Sequence, residues 1–164
     1  MATLEELEKR LRVLNDIEEI KKIHYRYVNG LLRSDINEIL PCFAEDGAID
    51  VHAGLAKTPE DRVAFFTKLL AEHHIGQEGI FMVHPIIEVD GDKATSSWLL
   101  YIQFAQPRTM DPIPTIFNTA QAPDWMQGYY ETEYVRENGE WKLSYMKFRC
   151  RLVSPMHTLK GYQP

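Results

Sequence analysis

The chain has 164 residues, of which 45% are hydrophobic and 26% charged, a balance typical of one soluble globular domain. The formal net charge of −6 argues against nucleic acid as the main partner, because phosphate binding needs a basic surface. No apolar run approaches the roughly 18 residues that a membrane-spanning helix needs, and the charged N-terminus does not have the pattern of a signal peptide. With only two cysteines, Cys42 and Cys150, we expect reduced thiols, a cytoplasmic location and no contact with membranes.

The common signatures of metal and nucleotide sites are missing from the sequence. CxxC, HExxH, GxGxxG and GxxxxGK(S/T) do not occur. The neighbours His73 and His74 lack carboxylates at ligand spacing, so we assign them to a helix end. We therefore expect neither a metal nor a cofactor.

The first third of the chain has helical periodicity. Leucines recur at spacings of three and four over residues 4–14, which predicts a first short amphipathic helix. Asp16, with Glu19 three residues later, has the pattern of an N-cap, and an apolar stripe then continues to about Ser34. Asp35 and Glu38 repeat the capping pattern and predict a third, short helix. A helix that starts at Pro59 and runs to about residue 73 is predicted further along.

The rest of the chain has strand periodicity. A short strand is predicted over residues 47–53, before the helix that starts at Pro59. Asp-Gly-Asp at 90–92 and Asn-Gly at 138–139 have the chemistry of hairpin turns. Four longer strands are predicted around these turns, over residues 81–89, 94–104, 125–137 and 141–153.

Residues 105–124 form a long segment without a clear period. It holds four of the nine prolines, and loops of this length in compact domains are usually functional or disordered. Ile113, Ile116 and Phe117 make it too apolar for a solvated linker. We expect a lid or a subunit contact here, and a C-terminal tail over residues 154–164.

This order of elements predicts an α+β fold. Helices come first, then one strand, a helix and four strands in hairpins, which implies a strongly curved antiparallel sheet packed on the N-terminal helices. A sheet folded around helices into a cone leaves an apolar pocket at its open end. We expect one domain over residues 1–164, with its core in residues 16–153.

Three segments resemble the SnoaL-like branch of the nuclear transport factor 2-like superfamily. They are "IEEIKKIHYRYVNGLLRSDINEILPCFAEDGAIDV", "HPIIEVDGDKATSSWLLY" and "GYYETEYVRENGEWKLSYMKFR". In layout the chain is most similar to the scytalone dehydratase, bile-acid 7α-dehydratase and lindane dehydrochlorinase group. The resemblance implies the cone fold and a cofactor-free lyase, although other members of the superfamily are not catalytic.

The resemblance also implies roles for single residues. His84 matches the position of the catalytic histidine of the dehydratase group, and Tyr27 matches a tyrosine that faces the pocket. Arg149 lies near the place of a pocket arginine, and Tyr130 matches a substrate-binding asparagine. The aspartate of that group does not carry over, because Leu32 takes its place. This departure leaves the type of reaction open.

Histidine chemistry supports a catalytic role for His84, because imidazole titrates near neutrality and can take up or release a proton. The alternative is a hydrogen-bonded core histidine. Asp50 and His52 alternate on the predicted first strand and could orient His84 in place of the aspartate, or they could simply face solvent. Tyr27 lies on the apolar side of its helix, where it is either a pocket residue or a core tyrosine. His24 lies beside the same stripe and could also reach the cavity.

Further candidates lie on the strands and in the long loop. Tyr101 and Trp98 are on opposite faces of one strand, and the sequence does not tell which face is concave. Tyr130 shares a face with Gly128, which could leave room for a ligand. The face that carries Arg149 is either in the pocket, in solvent or against another subunit. Asn118 could close over a ligand.

These observations predict a lyase, acting by dehydratase-like elimination or retro-aldol-type cleavage, or an isomerase. The substrate is expected to be a small apolar aromatic, terpenoid or steroid-like molecule. His84 would move the proton, and Tyr27 with Arg149 would stabilise charge on oxygen. The alternative from another class is a non-catalytic ligand-binding or scaffold protein. In either case we expect a homo-oligomer, a dimer or a trimer.

Overall fold

The computed structural model describes residues 2–51, 54–72, 79–103, 121–123, 125–153 and 156–158. These ranges contain three α-helices, α1 (Leu4–Leu32), α2 (Ile36–Ile39) and α3 (Pro59–Glu72). They also contain eight strands, β1 (Phe43–Val51), β2 (Gly54–Ala56), β3 (Gly79–Asp90), β4 (Lys93–Gln103), β5 (Gln121–Pro123), β6 (Trp125–Glu137), β7 (Glu140–Val153) and β8 (Met156–Thr158). His52 and Asn118 lie outside the described residues.

Residues Leu4–Leu32 form one continuous helix of 29 residues, α1. The prediction of two helices here, the second capped by Asp16, is therefore wrong. Thr3 caps α1 instead, in a reciprocal capping box with Glu6. Asp16 lies inside the helix and is buried, and its carboxylate accepts hydrogen bonds from Arg136 Nη2 at 2.6 Å and Trp141 Nε1 at 3.1 Å. The acidic residue that resembled a cap therefore ties α1 to the β6–β7 hairpin.

The other two helix starts agree with their sequence signals. Asp35 caps α2, and its side chain accepts a hydrogen bond from the backbone N–H of Asn37 at 2.9 Å. Thr58 and Asp61 exchange side-chain to backbone hydrogen bonds at the start of α3, where Pro59 is the first helical residue. These caps join residues two or three apart in the chain, which is why the sequence alone could locate them.

The main sheet has six strands in the order β2-β1-β7-β6-β4-β3. Every neighbouring pair is antiparallel except β1 and β7, which are parallel. The sheet is therefore mixed, which corrects the expectation of a purely antiparallel one, while the α+β cone architecture is confirmed. β5 and β8 form a separate antiparallel pair.

The core lies between α1 and the inner face of this sheet. Side chains alternate along β4, so that Trp98 and Leu100 are fully buried while Tyr101 is exposed on the outer face. From α1, residues at spacings of three and four project onto the inner face, namely Ile20, His24, Tyr27 and Leu31. Phe66 of α3 and Phe43 of β1 contact Tyr27 from the side.

Arg62 joins α3 to the start of β1. Its guanidinium is buried and donates to the backbone carbonyls of Gly47, Ala44 and Glu45, the last two at 3.0 and 2.8 Å. These carbonyls belong to the part of β1 where the parallel pairing with β7 shifts register. A side chain with five donors thus satisfies backbone groups that the sheet leaves unpaired.

Both cysteines are free thiols. Among the described helices, none has the length and apolar character needed to cross a membrane. No group of three or more histidine, cysteine, aspartate or glutamate side chains in the described ranges is arranged to hold a metal ion.

Candidate functional site

Five aromatic side chains meet between α1 and the inner face of the sheet, and we call them the interior cluster. The ring centroid of His24 lies 4.7 Å from that of Trp98, 5.7 Å from Tyr134, 6.2 Å from Tyr130 and 6.5 Å from Tyr27. His24 is thus the centre of the cluster. It reaches this place because it follows Ile20 by four residues and precedes Tyr27 by three, on the buried side of α1.

His24 is fully buried, and neither of its ring nitrogens has a hydrogen-bond partner among the described residues. Buried polar groups in native proteins are nearly always paired, so an unpaired imidazole requires an explanation. Burial lowers the pKa of His24 from 6.5 to about 3, since the charged form would lose its hydration. The ring is therefore neutral at physiological pH and offers one donor and one acceptor.

The phenols around His24 are hydrogen-bonded to other groups. Tyr134 Oη lies 2.7 Å from Ser96 Oγ, which also accepts from Trp98 Nε1 at 2.8 Å. Tyr27 and Tyr130 pack edge to face, with ring centroids 6.3 Å apart, and each phenol influences the pKa of the other. Burial raises the pKa of Tyr130 to about 12 and that of Tyr27 well above its ordinary value, so both phenols stay protonated and can donate.

Half-buried apolar side chains border the core beyond the interior cluster. Leu32, the last residue of α1, is one of them, together with Phe148 of β7 and Leu69 of α3. The suggestion that Gly128 leaves room for a ligand is wrong. A Cβ at this position would lie 2.2 Å from the Arg149 carbonyl oxygen and 2.8 Å from the Phe148 ring. The glycine instead permits close packing of β7 on β6.

His84 lies on the opposite face of the sheet. It is exposed and lines an open depression of about 410 Å³ together with Ser97, Leu99, Tyr129 and Arg151, which we call the outer-face depression. Its backbone has φ of 51° and falls at a register shift of β3. The structure thus separates His84 from Tyr27, although the sequence grouped them in one pocket.

Three more predicted residues also lie away from the interior cluster. Arg149 is exposed and donates to Glu131 at 2.7 Å. Asp50 accepts from Lys147 Nζ at 3.0 Å and from Tyr145 Oη at 3.1 Å, and these contacts hold the pKa of its carboxyl below the usual range. Of the two alternatives for Asp50, the one in which it orients His84 is wrong, because β7, β6 and β4 lie between β1 and β3. Tyr101 stacks on Trp125 on the outer face, with centroids 6.0 Å apart.

The structure therefore brings together Tyr27, Trp98 and Tyr130, and adds His24 and Tyr134. The sequence contained the signal for His24, because it continues the spacing of Ile20, Tyr27 and Leu31 along one helix face. The sequence pattern favoured His84 instead, because it is a histidine within an apolar strand. The periodicity of α1 was the better guide to burial.

The burial of a neutral His24 predicts acid sensitivity. Below pH about 6.5 the unfolded chain binds a proton that the folded protein accepts only near pH 3, so stability falls as the pH decreases through this window. Between pH 7.5 and 5.0 the expected loss from this group is about 2 kcal/mol. Urea unfolding at both pH values measures it, and His24→Leu should remove this part of the pH dependence. Equal pH dependence in the two proteins would contradict the prediction.

Comparisons with known proteins bear on the family and the fold. A family model described as "SnoaL-like domain" matches residues 12–147. No curated protein is significantly similar in sequence. Among solved structures, hexachlorocyclohexane dehydrochlorinase LinA-type3 from Novosphingobium barchaimii is 17% identical, with a TM-score of 0.72 over 89% of this chain and 93% of that one. An NTF2-like protein with a cystatin-like fold from Novosphingobium aromaticivorans is 20% identical, with a TM-score of 0.67 over 90% of each chain.

A third similar structure has no assigned function. It is a protein with a cystatin-like fold from Nostoc punctiforme, 22% identical, with a TM-score of 0.67 over 85% of this chain and 94% of that one. At such identities the structural likeness shows the fold alone. The reaction has to be inferred from the side chains of this chain.

Proposed function

Because the chain belongs to the SnoaL-like domain family, as its sequence predicted, we propose that it is a cofactor-independent lyase or isomerase. The fold supports lyase-type enzymes in general, since a dehydrochlorinase is among its structural neighbours. The observation that carries the proposal is His24, a buried neutral imidazole whose two nitrogens have no partner among the described residues and which lies beside the packed phenols of Tyr27 and Tyr130. We place the reaction at this interior cluster.

In the proposed elimination, a ring nitrogen of His24 accepts a proton from an acidic C–H bond of the substrate, and the negative charge that develops on the substrate beside it stabilises the buried imidazolium. The electron pair of that bond forms the new double bond, and the leaving group departs with its own pair. The Tyr27–Tyr130 pair donates to the substrate oxygen on which negative charge develops, an interaction that a dry site strengthens. In a retro-aldol cleavage the same base takes a hydroxyl proton, the oxygen forms a carbonyl as the C–C bond breaks, and the pair of that bond leaves as an enolate that His24 then protonates. In an isomerisation the proton returns to another carbon.

The substrate we propose is a small apolar aromatic, terpenoid or steroid-like molecule. The inner face offers aromatic rings and aliphatic side chains with few polar groups, which suits a ligand of that kind. Its route inward would pass the half-buried side chains of Leu32, Leu69 and Phe148. His84 keeps its predicted catalytic role only as an alternative, in which the outer-face depression would hold the reacting group.

Proton abstraction can be detected before the natural substrate is known. The protein is incubated in D₂O with a panel of aromatic and terpenoid ketones, alcohols and halides. Mass spectrometry then records deuterium uptake, loss of water or halide, and chain cleavage. Reaction of at least one compound class, abolished by heat denaturation, is the expected result. If ligands bind with an NMR response in the interior cluster but none exchanges or reacts, catalysis is contradicted.

That outcome would favour a second candidate function, a ligand-binding protein without chemistry. One observation supports it: no described side chain hydrogen-bonds His24 to orient it. A general base is normally positioned by such a bond. The deuterium experiment separates the two functions, because binding alone leaves the ligand mass unchanged.

We also propose that the protein self-associates through the exposed start of α1. Leu4, Leu7, Leu11 and Leu14 are 73, 51, 67 and 60% exposed, and their spacing is that of the a and d positions of a heptad, which pair with an identical helix. Sedimentation velocity is expected to show a dimer or trimer that the double change Leu7→Glu and Leu11→Glu converts to a monomer. Ile86→Glu, at an equally exposed site on the sheet, is the matched control. If Ile86→Glu is a monomer and the double leucine variant is not, the helix contact is contradicted.

A further inference from the structure

The outer-face depression is lined by hydrogen-bond donors. Its polar lining consists of the His84 imidazole, the hydroxyls of Ser97 and Tyr129, and the Arg151 guanidinium, while Leu99 forms an apolar part of the lining. Each of the four polar groups can donate, and none of the five lining residues is acidic. Such a set favours a ligand that carries acceptor oxygens and negative charge.

Both walls of the depression are built at irregularities of the strands. In β3, His84 and Pro85 together lie opposite Trp98, between the pairs Val83–Leu99 and Ile86–Ser97. His84 has φ of 51°, a conformation that L-residues rarely adopt and that a following proline disfavours further. Strained residues that persist are concentrated at binding and catalytic sites. Because of the bulge, the His84 imidazole lies on the outer face. In a regular strand, the alternation of side chains would have placed it on the inner face.

The opposite wall carries an uncompensated positive charge. Arg151 is the extra residue of β7 where the register with β6 shifts between Gln127 and Gly128. It makes no ion pair within the part of the chain that the structure describes. Arg149, two residues earlier on the same strand, is paired with Glu131 at 2.7 Å. Glu131 is thus already neutralised by Arg149, and Arg151 remains available to an anion.

We propose that the outer-face depression binds a small molecule that joins a carboxylate to an apolar ring system. Arg151 pairs with the carboxylate, Tyr129 and Ser97 add hydrogen bonds, and the ring system lies on Leu99 towards the exposed side chains of Val83 and Ile86. β3 and β7 are three strand spacings apart, about 14 Å, which suits a molecule of two rings. This site is separate from the interior cluster and does not depend on the proposed reaction.

The test compares biphenyl-4-carboxylate with its neutral analogue biphenyl-4-methanol, using calorimetry and NMR titration of the whole protein. The carboxylate is expected to bind at least tenfold more tightly, with chemical-shift changes at residues 83–86 and 150–152. Higher salt should weaken the binding of the carboxylate and not that of the alcohol. Equal affinity for the two probes, or shifts confined to residues 24–27 and 130–134, would overturn the proposal.

Variants make the assignment specific. Arg151→Gln is expected to lower affinity for the carboxylate about tenfold, to the level of the alcohol, and Arg151→Lys to restore part of it. Arg149→Gln is the matched control, since its charge is already paired, and should change the Kd less than twofold. His84→Asn retains a residue type that tolerates positive φ and should weaken binding severalfold without unfolding. Equal losses in Arg151→Gln and Arg149→Gln would contradict a specific site.

Discussion

His24→Leu is expected to lower turnover of a substrate found in the deuterium experiment by about 10²–10⁴-fold, the usual contribution of a general base. The same change should leave the protein at least as stable at pH 7.5, and up to about 1–2 kcal/mol more stable, because it removes a buried unpaired polar ring and substitutes an aliphatic side chain of similar size. Loss of activity with a gain in stability is the signature of a functional group kept at a cost to the fold. Turnover is measured by mass spectrometry and stability by urea unfolding.

His84→Asn is the control for this prediction. It changes an exposed histidine on the outer face and leaves the interior cluster intact, so turnover should stay within about twofold of the wild type. The turnover of Tyr27→Phe should lie between those of His24→Leu and His84→Asn. The change removes one donor and keeps the ring packed against Tyr130. Full activity in His24→Leu, or a loss in His84→Asn as large as that of His24→Leu, would move the reaction away from the interior cluster.

Asp16→Ala is expected to destabilise the protein by about 3 kcal/mol. The buried carboxylate accepts from Arg136 at 2.6 Å and from Trp141 at 3.1 Å, and its loss would leave the partly buried Arg136 guanidinium and the indole N–H without this acceptor. Arg136 also lies over the Trp141 ring, 4.5 Å from its centroid, so its position would change as well. The loss appears as a lower urea midpoint with an unchanged slope.

Glu19→Ala is the matched control for Asp16. Glu19 lies one helical turn away and approaches Arg136 only to 4.0 Å from a much more exposed position, so its removal should cost less than about 0.5 kcal/mol. Asp16→Asn should cost less than Asp16→Ala, because the amide oxygen can still accept from Trp141. If Asp16→Ala lowers the free energy of unfolding by no more than Glu19→Ala does, α1 is held to the hairpin by apolar packing alone.

The elements that the sequence located correctly depend on neighbouring residues. Asn138 and Gly139 have φ of 52° and 84°, values that an Asn-Gly pair adopts in a tight hairpin turn, and β6 ends and β7 begins on either side. Asp35 and Thr58 start helices through bonds within three residues. The spatial arrangement of the helices and strands was then predicted from the resemblance to the SnoaL-like family. That resemblance covers most of the chain.

The sequence by itself determined where the strands turn, which residues cap α2 and α3, and that Tyr27 lies on the apolar side of α1, with His24 beside it. Only the tertiary structure decided that Asp16 serves Arg136 rather than a helix end, since those residues are 120 positions apart. It also decided the face of His84: a bulge in β3 interrupts the alternation of side chains, and alternation is the only rule by which a sequence assigns them to a face. Long-range contacts and strand irregularities have no signature in a single sequence. For that reason the histidine within the apolar strand lies outside the core and the helical histidine lies at its centre.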